Sequence, residues 1–478
     1  MKSRKIERIL ISCLILLLVA CLVLGVVFAV GLGISIWRPL TLNDGSSTEM
    51  DKQPLDEATP ATPESPSELD TPTQGAQEEK QLLPDDLVKA LLEIESQVSS
   101  LRGLTANESV EKELITEEDL QEIVVNDFFS EYTDEDAQKD SLALSVLGLI
   151  PEGFNLHALY ETLYTEQIAG FYNEETEEIY VVQGADFGGN EKLTYAHEFT
   201  HVLQDQTYGF EEGLEFTNES CEVDSERCAA ILSLIEGDAT LTELKWFEEY
   251  GTLADYRDLM QAYEEFESPV LDSAPVSITA DLYFPYDQGY AFVQSLYDEG
   301  GFDAVDEAYQ NLPQSTEQIL HPERYPGDVP LQVELPDLNP ILGGNWYLFD
   351  QNVMGEWYTY LILNQGYDET YRLPEEQAKE AAEGWGGDAY AFYLEEGSDN
   401  VVFILDLVWD TIQDADEFER AFIAYADMRW GNSSGAISDL PSWESAQGIA
   451  VLMREGDRVL WVIAPTNLLV ESILQELR

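Results

Sequence analysis

Apolar residues along the chain follow three patterns: one unbroken run, stretches at helical spacing, and short alternating segments. The run comes first, because Ile9 to Trp37 holds 29 residues without a charged side chain. About 20 apolar residues span a bilayer as a helix, so this segment predicts a transmembrane anchor. Residues 41–82 then lose nearly all apolar content and fill with Thr, Ser, Pro, Glu and Asp, a composition that predicts a disordered stalk. Order begins near Leu83. Asp85 to Ser96 reads as an amphipathic helix, Thr116 to Asp119 carries an N-cap signature for another, and helical spacing continues through Leu149. Gln167 to Tyr172 and Glu178 to Val182 alternate around Asn173-Glu-Glu-Thr176 and predict a β-hairpin. Helices follow over residues 193–205 and 229–240. Phe284 to Val293 reads as a turn entering a helix, and Ser315 to Tyr325 as a helix broken at Pro322. Residues 326–340, rich in Pro, Asp and Gly, mark a boundary. Beyond it the pattern predicts helices over 353–364, 377–382 and 415–428, strands over 389–394, 401–408, 449–453 and 459–463, and a final helix. The expected fold is α+β: a mainly helical domain with a small β-hairpin or sheet over 83–330, then a smaller α+β domain over 341–478. The anchor (1–40) and stalk (41–82) precede both.

Charge then sets the compartment. Ninety-four acidic against 23 basic residues give a formal net charge of −71. Such a surface repels nucleic acid and anionic headgroups, which excludes polyanion partners and suits a protein that must stay soluble outside the cell. Lys2, Arg4, Lys5 and Arg8 precede the apolar run and an acidic chain follows it, so the N-terminus is expected in the cytoplasm and the bulk outside. Leu18-Val-Ala-Cys21 resembles a bacterial lipoprotein cleavage box, but sixteen more uncharged residues follow it, which favours a retained anchor. Cys221 and Cys228 fall on the oxidising side. On one continuous helix they would sit ~10 Å apart, too far to bond. A disulfide therefore needs Cys221 in the loop before the next helix.

The candidate chemistry lies in the helix over 193–205. At 100° per residue, His197 and His201 fall within ~40° of each other with Glu198 on the same side, while Leu193, Ala196, Phe199 and Leu203 take the opposite side. One face packs on a core and the other presents two imidazoles and a carboxylate. In this H-E-x-x-H spacing the imidazoles bind a metal and the Glu serves as general base. Catalytic zinc keeps three protein ligands, and Glu236 is the candidate third. Its helical neighbours Ala229, Leu232 and Ala239 aim the carboxylate into apolar surroundings, where an acid is normally paired or metal-bound. Gly237 beside it would let this helix approach the first closely. Asp205, one turn after His201, is a candidate partner to orient an imidazole. His157 receives no functional reading.

His197-Glu-Phe-Thr-His201-x-x-x-Asp205-x-Thr207-x-Gly209-Phe210, with a Glu on a following helix, resembles the gluzincin branch of the zincin metallopeptidases. The first segment is thermolysin-like. The second is not, because Thr240 stands where thermolysin-like enzymes have an Asp, and Glu236-Gly-Asp-Ala239 resembles the Glu-Gly-x-Ala of aminopeptidase-type relatives. Tyr286-x-x-Gly289 is similar to a pattern downstream of the zinc site in the latter, and the Ser-Thr-Glu-Gln-x-x-His-Pro ending at Pro322 is similar to segments of uncharacterised bacterial zinc peptidases. The resemblance implies a zincin fold, Zn²⁺ held by His197, His201 and Glu236, and Glu198 as base. It further implies a peptide or protein substrate, with His321, Tyr286 or Tyr325 stabilising the oxyanion. It also implies that the strand before the metal helix, at Tyr180 to Val182, forms the cleft edge that pairs with substrate. Two other classes fit the same residues: a non-catalytic surface or adhesion protein on a zincin scaffold, and a zinc hydrolase of a non-peptide cell-envelope substrate. An intact Glu198 favours the peptidase.

Overall fold

In the computed structural model, residues 83–116, 123, 132–167, 170–173, 178–182, 187–265, 268–435 and 437–478 are described. The expected anchor and stalk lie outside them, as does most of the helix expected to begin at Thr116. No helix among the described residues is long and apolar enough to cross a membrane.

The first described helix shows why the periodicity holds. In α1 (Asp85–Arg102), Leu91, Ile94 and Val98 recur three and four residues apart and are buried, and Gly103 ends the helix at φ 81°. Then come β1 (Glu111–Ile115), α2 (Asp134–Leu147), α3 (Leu156–Gln167), β2 (Gly170–Asn173), β3 (Glu178–Val182) and α4 (Gly189–Tyr208). A short turn of helix, Asn218–Cys221, leads into the long α5 (Ser225–Tyr250). After α6 (Leu253–Glu265) and a second short turn, Pro269–Ser273, come α7 (Val276–Gly300), α8 (Phe302–Gln310) and α9 (Thr316–Leu320). The expected hairpin is present, with β2 antiparallel to β3 and Tyr172 opposite Ile179. β1 joins it in parallel, giving the order β1-β3-β2. The segment Tyr180 to Val182 is therefore interior to this sheet, and among the described residues the outer strand on the α4 side is β2. The cleft-edge expectation is corrected accordingly: a local alternating pattern predicts a strand but not its neighbours.

Pro285 does not open a helix but lies inside α7. A proline there removes one backbone bond and costs about 3 kcal/mol in isolation, and packing along α5 outweighs it. Gly237 and Gly289 mark that contact. A Cβ at Gly237 would stand 2.2 Å from the Gly289 carbonyl oxygen, and one at Gly289 would stand 2.2 Å from that of Ser233. The close approach expected from Gly237 is thus made to α7, not to the His197 helix.

The C-terminal part is a six-stranded antiparallel sheet in the order β4-β5-β6-β9-β8-β7. Its strands are β4 (Trp346–Asn352), β5 (Trp385–Glu395), β6 (Val401–Trp409), β7 (Ser442–Ser445), β8 (Gly448–Glu455) and β9 (Arg458–Ala464). The helices α10 (Gly355–Asn364), α11 (Glu375–Ala382) and α12 (Ile412–Trp430) share a core with one face, and α13 (Asn467–Leu477) covers the other. Alternation along β6 sends Phe403 and Leu405 to the α12 side and Val402 and Ile404 to the α13 side. The chain is therefore α+β. Ala143, Val146, Leu147 and Leu149, from the end of α2, are buried in the same core as Phe418 and Trp461. Arg429 seals that junction by donating to the carbonyls of Leu147 and Val146 at 3.1 and 2.9 Å.

Candidate metal centre

The site forms where α4 crosses α5. On α4 the residues from Leu193 to Gln204 are all buried, so His197, Glu198 and His201 face protein rather than water. On α5 the same holds from Ala230 to Glu243, Glu236 included. His197 Nε2 lies 3.2 Å from Glu236 Oε2, and His201 Nε2 lies 3.5 Å from the same oxygen. The two imidazoles meet edge to face with centroids 4.7 Å apart.

This constellation fits a divalent transition metal. One ligand atom from each of His197, His201 and Glu236 lies within 4.8 Å of the other two, and all three residues are buried. His201 Nε2 faces the Glu236 oxygen at 3.5 Å without a hydrogen bond of normal geometry. A buried nitrogen so poorly satisfied is costly, and a metal between the three atoms would satisfy it. Two neutral imidazoles and a carboxylate form a borderline-soft N/O donor set suited to Zn²⁺.

Electrostatics bind the group together. Burial opposes charge on His197, but Glu243 and Glu236 outweigh it and raise its pKa well above the usual histidine value. Burial pushes Glu236 up, yet the imidazoles of His201 and His197 prevail and hold it down at about 2. Glu198 is pushed up to about 7 by burial, against the pull of the same imidazoles. Its Oε2 accepts the Tyr172 backbone N–H at 3.0 Å, so the outer strand β2 touches the proposed base directly.

The residues that orient the imidazoles are ones the sequence did not single out. His197 Nδ1 lies 3.3 Å from Glu243 Oε2, and His201 Nδ1 lies 2.8 Å from Gln204 Oε1. Glu243 follows Glu236 by seven residues, two turns along the same face, and stands one turn beyond Thr240, where the thermolysin-like acid was sought. That spacing was the available signal. Asp205 orients neither ring. It accepts the Tyr172 hydroxyl at 3.0 Å and caps the end of α4 by accepting the Phe210 N–H at 3.1 Å.

Of the three candidate oxyanion donors, the structure brings Tyr286 to the histidines, buried, with its ring centroid 6.4 Å from that of His197. His321 and Tyr325 are engaged elsewhere. His321 closes α9, its Nε2 lies 2.9 Å from Glu356 Oε1 of α10, and both line a cavity of about 340 Å³ with Gln288 and Lys379. Tyr325 donates its hydroxyl to the Asn311 carbonyl at 2.6 Å and meets Phe292 edge to face. Neither forms a hydrogen bond or ion pair with His197, His201 or Glu236 among the described residues: His321 is turned to Glu356 of α10, and Tyr325 to Asn311 after α8 and Phe292 of α7. The Cys221–Cys228 disulfide is formed, with Cys221 ending the short helical turn before α5 as its geometry required.

A family model described as "Domain of unknown function (DUF8575)" matches residues 347–474, the region of the six-stranded sheet. No curated protein and no solved structure matches the chain.

Proposed function

We propose that the chain is a membrane-anchored, extracytoplasmic zinc metallopeptidase of gluzincin type, with His197, His201 and Glu236 holding Zn²⁺ and Glu198 as general base. One observation carries this reading: the three buried ligand groups converge within 4.8 Å with a further carboxylate on the same helix face. Bound zinc would supply Lewis acidity toward a peptide carbonyl and a water whose pKa is lowered to roughly 7. Glu198, held by Tyr172, takes a proton from the attacking water and returns it to the leaving amine nitrogen. Tyr286 is the phenol that stabilises the developing oxyanion. A substrate backbone would run along β2, whose Tyr172 amide points off the sheet toward Glu198. The uncharged run Ile9–Trp37 and the basic residues before it support the anchor and its orientation.

Comparing the purified full-length protein with its Glu198→Gln variant on a peptide library, with metal analysis of both, tests the proposal. One zinc per chain in each, and cleavage only by the parent, is expected. Equal cleavage by both, or no zinc in the parent, refutes it. Zinc without peptide cleavage in the parent leaves a structural site or a different amide or ester substrate.

A further inference from the structure

A chain of buried polar contacts runs from the end of α1 to the ring of His201. It begins at Arg102, the last residue of α1, which is 1 % exposed. Arg102 Nε donates to Asp238 Oδ1 at 2.8 Å, and its Nη1 pairs with Asp306 Oδ1 of α8 at 2.7 Å. The other oxygen of Asp238 accepts from Gln204 Nε2 at 2.9 Å and from the Tyr309 hydroxyl at 3.0 Å. Gln204 Nε2 donates also to the Ile235 carbonyl at 3.0 Å, and Gln204 Oε1 faces His201 Nδ1 at 2.8 Å. Gln204 and Asp238 are both fully buried.

The order of donors and acceptors in this chain determines the chemistry at its end. An amide side chain can present either its oxygen or its NH2 to a neighbour. Here the NH2 faces two groups that only accept, the Asp238 carboxylate and a backbone carbonyl, so the oxygen must face His201. An oxygen there requires the proton of a neutral imidazole to sit on Nδ1, which leaves the Nε2 lone pair directed at Glu236. That is the tautomer a metal ligand needs. Arg102 fixes how Asp238 is turned: its guanidinium takes Oδ1 at 2.8 Å, which leaves Oδ2 facing Gln204 Nε2 and the Tyr309 hydroxyl.

We propose that Arg102 is a positioning residue of the metal centre, acting through Asp238 and Gln204 to hold His201 in its metal-binding tautomer and orientation. The inference rests on the metal-site reading above. It makes α1, which packs against α4 through Leu91 and Val98, part of the site, although it contributes no ligand.

The test measures zinc affinity of the full-length protein by chelator competition and, after Co²⁺ substitution, the visible d–d spectrum. Arg102→Met, Arg102→Lys and Gln204→Met are compared with the parent and with Arg420→Met, whose guanidinium is exposed. We expect zinc to bind about 10- to 100-fold more weakly in Arg102→Met and Gln204→Met, with a displaced Co²⁺ band. Arg102→Lys should recover part of both, and Arg420→Met should match the parent. A folded Arg102→Met with parental affinity and spectrum overturns the proposal. If Arg102→Met does not fold, Gln204→Met decides, since it keeps the volume and removes only the amide, and parental behaviour there overturns it equally. Absence of zinc from the parent itself refutes the metal-site reading and this inference with it, whereas equal binding in parent and variants refutes this inference alone.

Discussion

Gly237→Ala is the sharpest test of how the centre is assembled, because two physical effects predict opposite signs. Gly237 lies mid-helix in α5, where replacing glycine by alanine normally stabilises by about 1 kcal/mol. Against that, the new methyl would stand 2.2 Å from the Gly289 carbonyl oxygen, 2.3 Å from its carbon and 2.9 Å from the Tyr290 nitrogen. Non-bonded heavy atoms sit comfortably at about 3.5–4.0 Å, so α5 and α7 must separate by roughly 1 Å or more. The obstacles are backbone atoms, and no rotamer relieves them. Overpacking costs about 1–3 kcal/mol and occasionally more; a backbone clash belongs at the upper end, leaving a net loss of about 2 kcal/mol after the helix-propensity gain. The displaced residue is adjacent to Glu236, so zinc affinity should fall at least tenfold with stability. Urea unfolding followed by circular dichroism, with chelator competition on the same samples, measures both. An unfolding midpoint equal to or above that of the parent, with unchanged zinc binding, would mean that propensity wins and that the glycine pair does not set the α5–α7 distance.

Two further predictions concern stability away from the centre. The disulfide closes a loop of sequence separation 7, for which the chain-entropy estimate is about 2–3 kcal/mol. The Cys221→Ser/Cys228→Ser protein should lose that much in urea unfolding and show no further shift with reductant; a reductant shift equal to that of the parent would refute the assignment. Asp388 is pushed up to about 6, chiefly by burial, against hydrogen bonds from the Met354 and Gly355 amides and the Trp385 indole. An acid whose pKa is raised on folding contributes stability that is complete below its unfolded pKa, about 4, and lost as pH rises through the folded value. Between pH 4 and 6 the parent should therefore lose up to about 1.4 kcal/mol per pH unit more than Asp388→Asn, and parallel pH profiles would refute the shift.

The parts of this architecture legible from sequence are those written in local spacing. His197, Glu198 and His201 share a helix face by arithmetic, and Glu236 stood out because Ala229, Leu232 and Ala239 aim its carboxylate into apolar surroundings, where an unpaired acid is costly. The hairpin and most elements of the C-terminal part were legible for the same reason. Features that depend on which surfaces meet were not. Glu111-Lys-Glu-Leu-Ile115 alternates too weakly to predict a strand, yet as β1 it pairs along β3 and makes that strand interior. Gly237 announced a close approach, but its partner is α7 and not the His197 helix expected from sequence. Gln204 and Asp205 are each about one turn from His201, and the choice between them was made at the end of α4, where Asp205 is taken by the Phe210 amide and the Tyr172 hydroxyl. His321 looked like an oxyanion donor because its acid partner, Glu356, lies 35 residues away on α10.

The same distinction bears on the C-terminal part, which contributes no ligand to the centre but holds the start of the helix that carries one. At the end of β4, the Asn352 side chain accepts the Ser225 amide at 2.7 Å and donates to the Cys221 carbonyl at 3.0 Å. The Ser225 hydroxyl donates to the Val353 carbonyl at 2.9 Å. One residue on, the buried Glu226 accepts both the amide and the hydroxyl of Thr316, at 2.6 and 2.7 Å. The first turn of α5 is thus fixed by the disulfide-bearing turn, by α9 and by the matched domain together. A slip of one residue along α5 would move Glu236 by about 1.5 Å and turn it by roughly 100°, more than a coordination distance tolerates. Helix register is therefore where the two parts of the chain meet: Asn352 and Val353 hold the start of α5, the Gly237–Gly289 contact sets its distance from α7, and both bear on where Glu236 meets the imidazoles.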